Sequence, residues 1–302
     1  MGKIAFVFSG QGDQFPGMGK ELCEKYPEAA KVFAMCDAIR PGTSEQCFGG
    51  TEEELRETRN TQPCLFATEL AAASVLTSHG IYPEAVAGFS LGEVTACAFS
   101  GIVDNESGFR IVCKRGEIMQ AEAEKTPTSM VAVVKLAADK VKELAAEYTQ
   151  VYPVNFNCPG QVSVSGVSEQ IASFSADVKN AGGRAIPLKV KGAFHSPFMN
   201  KAAELFAVEL EKVSFSKGNC TMYSDYTAEP YGADASKLLS AQICNPVRWE
   251  ELIVNMINSG IDTFVEIGPG KTLTNMIKKI DTDVKVYSSC EIDTVIAEVG
   301  QC

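Results

Sequence analysis

Ala85-Val86-Ala87-Gly88-Phe89-Ser90-Leu91-Gly92-Glu93 is the stretch whose reading decides the fold. A short apolar segment leads through a glycine-flanked serine into an alanine-rich run with the character of a helix. Positions 88–92 satisfy G-x-S-x-G, the sharp strand-to-helix turn that lifts a nucleophilic serine clear of a sheet edge. The backbone turns that tightly only where neighbours lack bulk, which gives both glycines a reason. The helix start behind Ser90 aims N–H groups and partial positive charge at any oxyanion forming there.

Outward from this turn, strand-like and helix-like patterns alternate, which predicts an α/β fold with a mostly parallel sheet. Residues 4–8 read as a first strand, followed by a glycine-containing loop through Gly17. That loop is no dinucleotide fingerprint, because the third glycine of G-x-G-x-x-G falls on Phe15. The spacing predicts helices over 20–40 and 51–58, a polar connection over 41–50, and a helix opened by Thr61-Gln62-Pro63. A further helix spans 107–124. From Ser129 the order becomes strand (130–134), helix (138–148), strands (152–158 and 161–166), helix from an N-cap at Ser168, and strand (184–190). This βαββαβ order is that of a small ferredoxin-like unit, 127–193, inserted into a larger discontinuous domain, 1–126 and 194–302. The larger domain resumes at Gly192-Ala193-Phe194-His195-Ser196-Pro197, with Ser196 as N-cap and Pro197 as first helical residue. Later, Gly268-Pro269-Gly270-Lys271-Thr272 ends like a phosphate loop, but Val265 stands where its first glycine belongs. The tail from Glu291 carries no readable signal.

Composition narrows the function. At 302 residues the chain is long enough for one large domain or two modest ones. A net charge of −11 argues against nucleic acid as the main partner. No apolar run reaches the roughly 18 residues of a membrane span. The opening segment lacks signal-peptide chemistry, so the expectation is a cytoplasmic protein. The 11 cysteines are odd in number and contain no C-x-x-C pair, and there are only two histidines, His79 and His195. Neither a disulfide framework nor a metal site is expected, only reduced, buried thiols.

Ser90 as nucleophile and His195 as base are the elements of acyl-transfer chemistry. The helix start after His195 would keep the imidazole neutral. No acidic third member stands out, so a backbone carbonyl is expected to orient the histidine. The oxyanion falls to the N–H of Leu91, next to the nucleophile, and to that of Gln11, between two glycines. Arg115 has Ile111 and Met119 four residues to either side, with Val112 and Ile118 three away. That spacing puts a guanidinium in an apolar stripe, where it can wait for a carboxylate.

The ordered motifs Phe8-Ser9-Gly10-Gln11-Gly12, Asn60-Thr61-Gln62-Pro63, Gly88 to Glu93, Lys114-Arg115-Gly116, Asn157-Cys158-Pro159-Gly160-Gln161-Val162, Gly192 to Ser196, Asn245-Pro246-Val247-Arg248-Trp249 and Glu266-Ile267-Gly268-Pro269-Gly270 resemble malonyl-CoA:acyl carrier protein transacylases of fatty-acid and polyketide synthesis over nearly the full length. The resemblance implies an α/β-hydrolase-like large domain with the active site between it and the insert. It implies a malonyl ester on Ser90, proton relay by His195, and an oxyanion hole from Gln11 and Leu91. Arg115 would hold the malonyl carboxylate, the carbonyl of Gln242 would orient His195, and Asn157 would line the pocket. No bound cofactor is implied; the substrates are malonyl-CoA and the phosphopantetheine thiol of acyl carrier protein, the expected partner. Phe89 departs from the family, which usually has histidine beside the nucleophile. Lys189, Lys191 and Lys201 are candidates for a basic docking rim. Rival readings are a trans-acting polyketide acyltransferase with another acyl-CoA preference, a serine thioesterase or hydrolase with the same elbow, and a carrier-binding scaffold without turnover.

Overall fold

In the computed structural model, which describes residues 2–190 and 192–300, the strands are β1 (Lys3–Phe8), β2 (Ala85–Gly88), β3 (Thr128–Val134), β4 (Val151–Cys158), β5 (Gln161–Val167), β6 (Arg184–Pro187), β7 (Thr221–Tyr223), β8 (Ile261–Ile267) and β9 (Lys285–Ser288). They form two sheets. The larger has the order β7-β2-β1-β8-β9 and every pairing in it is parallel. Residues 5–8 of the central strand are fully buried, as a parallel strand covered on both faces must be. Phe6 and Phe8 pack on one side with Leu65, Leu70 and Val112, while Ala5 and Val7 pack on the other with Trp249, Leu252 and Leu273. The carboxyl ends of β1 and β2 lie side by side, and the loops leaving them carry Gln11 and Ser90. Ligands of open parallel sheets bind at that edge.

The smaller sheet has the order β4-β5-β3-β6, antiparallel throughout, with strands and helices Ala138–Ala146 and Ser168–Asn180 following one another as βαββαβ. The period-2 alternation divides its faces. Val131, Val133, Val162 and Val164 pack with Ile171 and Phe174. Met130, Ala132, Asn155, Asn157 and Ser163 instead line a cavity shared with the larger sheet's loops. The sheets are stitched where Asn155 bridges Val247, with Phe156 N–H donating to the Val247 carbonyl (2.9 Å) and Val247 N–H to that of Val154 (2.8 Å).

Several expected elements differ. The helix expected over 20–40 is two, Lys20–Lys25 and Pro27–Ile39, because the residue before Pro27 is driven out of the helical region and Tyr26 is extended (φ −123°). The connection at 41–50 holds a helix, Thr43–Gly49, anchored by buried Thr43 and Cys47. The next long helix, Thr58–Ser78, begins before Thr61 and keeps Pro63 inside, since burial of nearly every residue around it outweighs the lost hydrogen bond. Ser168 is helical and the cap is Val167. The last strand of the small sheet stops at Pro187, after which Leu188 and Val190 turn to the cavity. After Pro246 the chain turns helical only at Trp249, because Val247 is spent on the bridge. The tail forms a helix, Ile292–Val299, with Val295 and Val299 buried four residues apart. Among the described residues no helix is long and apolar enough to cross a membrane.

Candidate active site

The turn at Ser90 has the expected strand-to-helix geometry. β2 ends at Gly88, Ser90 sits at φ 56°, and the helix Gly92–Phe99 follows. A Cβ on Gly88 would lie 2.0 Å from the Gly92 carbonyl carbon, and one on Gly92 2.4 Å from the carbonyl oxygens of Phe8 and Ser9. Both positions therefore require glycine. Left-handed backbone at a non-glycine residue costs about 1–3 kcal/mol and persists only where surroundings enforce it. His195 is also left-handed, at φ 59°.

Ser90 Oγ lies 2.7 Å from His195 Nε2, and His195 Nδ1 lies 2.8 Å from the Gln242 carbonyl oxygen. A carbonyl can only accept, so Nδ1 carries the proton and Nε2 is free to receive one from serine. That carbonyl belongs to Gln242, the residue the family resemblance implies at this place. The imidazole pKa is lowered to about 4, by burial first and then by the Arg115 charge. This corrects the expectation that a helix start keeps it neutral: only the single 3₁₀ turn Pro197–Met199 follows, and the α-helix begins at Asn200.

Arg115 is fully buried. Its Nη2 donates to Gln242 Oε1 (2.6 Å) and to Ser90 Oγ (3.2 Å), while Nε and Nη1 have no partner among the described residues. Burial lowers its pKa to about 10, opposed by Asp225 and Glu93, so it stays cationic at neutral pH. Two orphaned donors on a buried cation are costly unless an anion takes them.

Behind Ser90 is a buried polar cluster that sequence reasoning did not find. Asp225 Oδ2 accepts the Ser90 N–H (2.6 Å). Gln242 Nε2 donates to the Ser90 carbonyl (2.8 Å) and to Glu93 Oε2 (2.6 Å), and the Tyr231 hydroxyl donates to Glu93 Oε1. Burial, then the Glu93 charge, pushes the Asp225 carboxyl well above the usual range. Glu93 was visible as the only charged residue of its alanine-rich helix; Asp225, in a turn after a three-residue strand, had no periodic signal.

The backbone N–H groups of Leu91 and Gln11 engage no acceptor among the described residues. A cavity of about 250 Å³ opens over Ser90, lined by Gln11, Leu91, Phe89 and His195 on one side and Met130, Ala132, Asn155 and Asn157 on the other. Asn157 donates to Ser163 Oγ (3.3 Å) and leaves Oδ1 unpartnered, as does Asn155. Phe89 packs edge-on against Trp249, ring centroids 5.4 Å apart. Gln62 and Met119 also line the cavity, in contact through Gln62 Nε2 and Met119 Sδ (3.4 Å). Arg115, one turn before Met119, is not itself among the lining residues but reaches Ser90 Oγ, which is. Of the rim lysines, Lys189 is exposed, Lys201 pairs with Glu204 (2.8 Å), and Lys191 lies outside the described residues.

Residues 5–295 match the model of the acyl transferase domain family. The chain is 37% identical over 303 residues to the malonyl CoA-acyl carrier protein transacylase of Bacillus subtilis, covering 98% of this chain and 96% of that one. Among solved structures, the malonyl CoA-acyl carrier protein transacylase of Clostridium perfringens superimposes with a TM-score of 0.94 at 35% identity, covering 99% of this chain and 98% of that one. A malonyl-transacylase solved in complex with a type II PKS acyl-carrier protein gives 0.90 at 33% identity, covering 95% and 94%.

Proposed function

The chain belongs to the acyl transferase domain family, and on that premise we propose that it moves malonyl groups from CoA to acyl carrier protein through an ester on Ser90. It is an acyltransferase, its substrate is malonyl-CoA and its partner is acyl carrier protein. The observation that carries the serine route is a buried guanidinium with two unpartnered donors, 3.2 Å from the Oγ of a serine hydrogen-bonded to a buried histidine.

In this reading the Ser90 hydroxyl gives its proton to His195 Nε2 as Oγ attacks the thioester carbonyl. The N–H groups of Leu91 and Gln11 receive the oxyanion. Collapse expels the CoA thiolate, which takes the proton from His195 and leaves malonyl-Ser90. The carrier protein's phosphopantetheine thiol then attacks, losing its proton to His195, and the same steps in reverse return Ser90, a ping-pong cycle. The malonyl carboxylate pairs with Arg115 Nε and Nη1, the two donors left without a partner among the described residues. Asn157 and Phe89 shape the walls. No bound cofactor takes part.

We read the small sheet with its two helices, 127–193, as a ferredoxin-like insert, on its βαββαβ order and β4-β5-β3-β6 arrangement. The remainder, 1–126 and 194–302, reads as α/β-hydrolase-like, on its parallel sheet and serine elbow. Ten free cysteines among the described residues suit a reducing cytoplasm. The product feeds chain elongation in fatty-acid or polyketide synthesis.

Arg115→Ala tests the carboxylate role. Malonyl transfer to holo carrier protein should fall by about two orders of magnitude, the scale of truncating one side of a buried charge pair. Acetyl transfer, with no carboxylate to hold, should fall much less; equal loss with both donors rules this role out.

A further inference from the structure

We infer that Asp225 is a positioning residue: by accepting the backbone N–H of Ser90 it holds the nucleophile in its left-handed conformation, with Oγ directed at His195. The inference rests on the reading of Ser90 as nucleophile. Both polar backbone groups of Ser90 are held by distant side chains, the N–H by Asp225 Oδ2 at 2.6 Å and the carbonyl by Gln242 Nε2 at 2.8 Å. An L-residue at φ 56° relaxes toward the ordinary regions unless it is restrained, and relaxation swings Cβ, and Oγ with it, away from Nε2.

Asp225 is built for restraint. It is fully buried, in a turn where Ser224 Oγ accepts the N–H groups of Tyr226 (3.3 Å) and Thr227 (3.4 Å). The Arg248 N–H fixes its carbonyl from the far side (2.7 Å). It is not the acid of a Ser-His-Asp triad, because His195 Nδ1 donates to the Gln242 carbonyl. Nor does Glu93 compete for the role, being engaged by Tyr231 and Gln242. The short edge strand β7 thus acquires a purpose, since it delivers this carboxyl behind the elbow.

The test is the rate of Ser90 acylation, followed by rapid quench and intact-protein mass, for wild type, Asp225→Ala and Asp225→Asn with malonyl-CoA and acetyl-CoA. D225A should acylate about 100-fold more slowly, the scale of an ångström of misplacement. The factor should be the same for both donors, with the half-saturating concentration unchanged. D225N keeps an acceptor oxygen and should recover most of the rate. Should D225A not fold, Asp225→Ser, too short to reach the amide, takes its place. A wild-type rate in D225A or D225S, a D225N as slow as D225A, or a loss confined to malonyl-CoA overturns the inference. No acylation of wild-type Ser90 would instead overturn the nucleophile reading beneath it.

Discussion

On the proposed route His195 has to be neutral to take the proton of Ser90, and its own burial and the placement of Arg115 favour that form. Burial and the neighbouring Arg115 charge bring its pKa down from 6.5 to about 4. In the free enzyme, kcat/KM for acylation should therefore stay level from neutral pH to about pH 5 and fall as pH drops through the lowered pKa. Removing the guanidinium removes a charge that opposes imidazolium, so the pKa rises and the acid limb of Arg115→Ala moves to higher pH. Acetyl-CoA is the donor to use, because it has no carboxylate for the arginine to hold. An acid limb that stays in place would mean that burial alone sets the base. Ser90, His195 and Arg115 were all legible as residues, the first from its glycines, the last from apolar neighbours at helical spacing. Gln62 lay inside a recognised motif yet had no assigned task, because only coordinates bring it to Met119 and the cavity.

At the scale of elements, the elbow depends on contacts between backbones. The helix Gly92–Phe99 comes so near the ends of β1 and β2 that a methyl group at Gly92 meets two carbonyl oxygens at 2.4 Å. Gly92→Ala should lower unfolding free energy by about 1–3 kcal/mol, the cost of overpacking, and impair acylation further by displacing the Leu91 N–H. Urea unfolding beside an acylation assay checks both, and wild-type behaviour in each would refute the close approach. Most elements could be read because burial leaves patterns: continuous apolar runs in β1 and in Met130–Val134 of β3, alternation in β5. The errors fell where tertiary pairing overrides local pattern. Val247 belongs to the bridge with Asn155 and so cannot begin a helix, and the helices Thr43–Gly49 and Ile292–Val299 each have only two buried anchors.

The whole molecule sets a parallel sheet's carboxyl edge against one face of an antiparallel sheet, with the cavity between. The larger sheet's loops and helices bring Ser90, Arg115 and His195, which span 105 residues of sequence, into one hydrogen-bonded group. The smaller sheet adds amides and apolar side chains and none of these three side chains. Water kept from the ester is what separates a transferase from a hydrolase with the same elbow. The most direct measurement is intact-protein mass after mixing the enzyme with malonyl-CoA, with peptide mapping of the adduct and subsequent addition of holo carrier protein. A malonyl group on Ser90 that persists without carrier protein and then moves to the carrier's thiol is the expected result. Absence of an adduct, its appearance on another residue, or release of free malonate at the same rate with and without carrier protein would contradict the account.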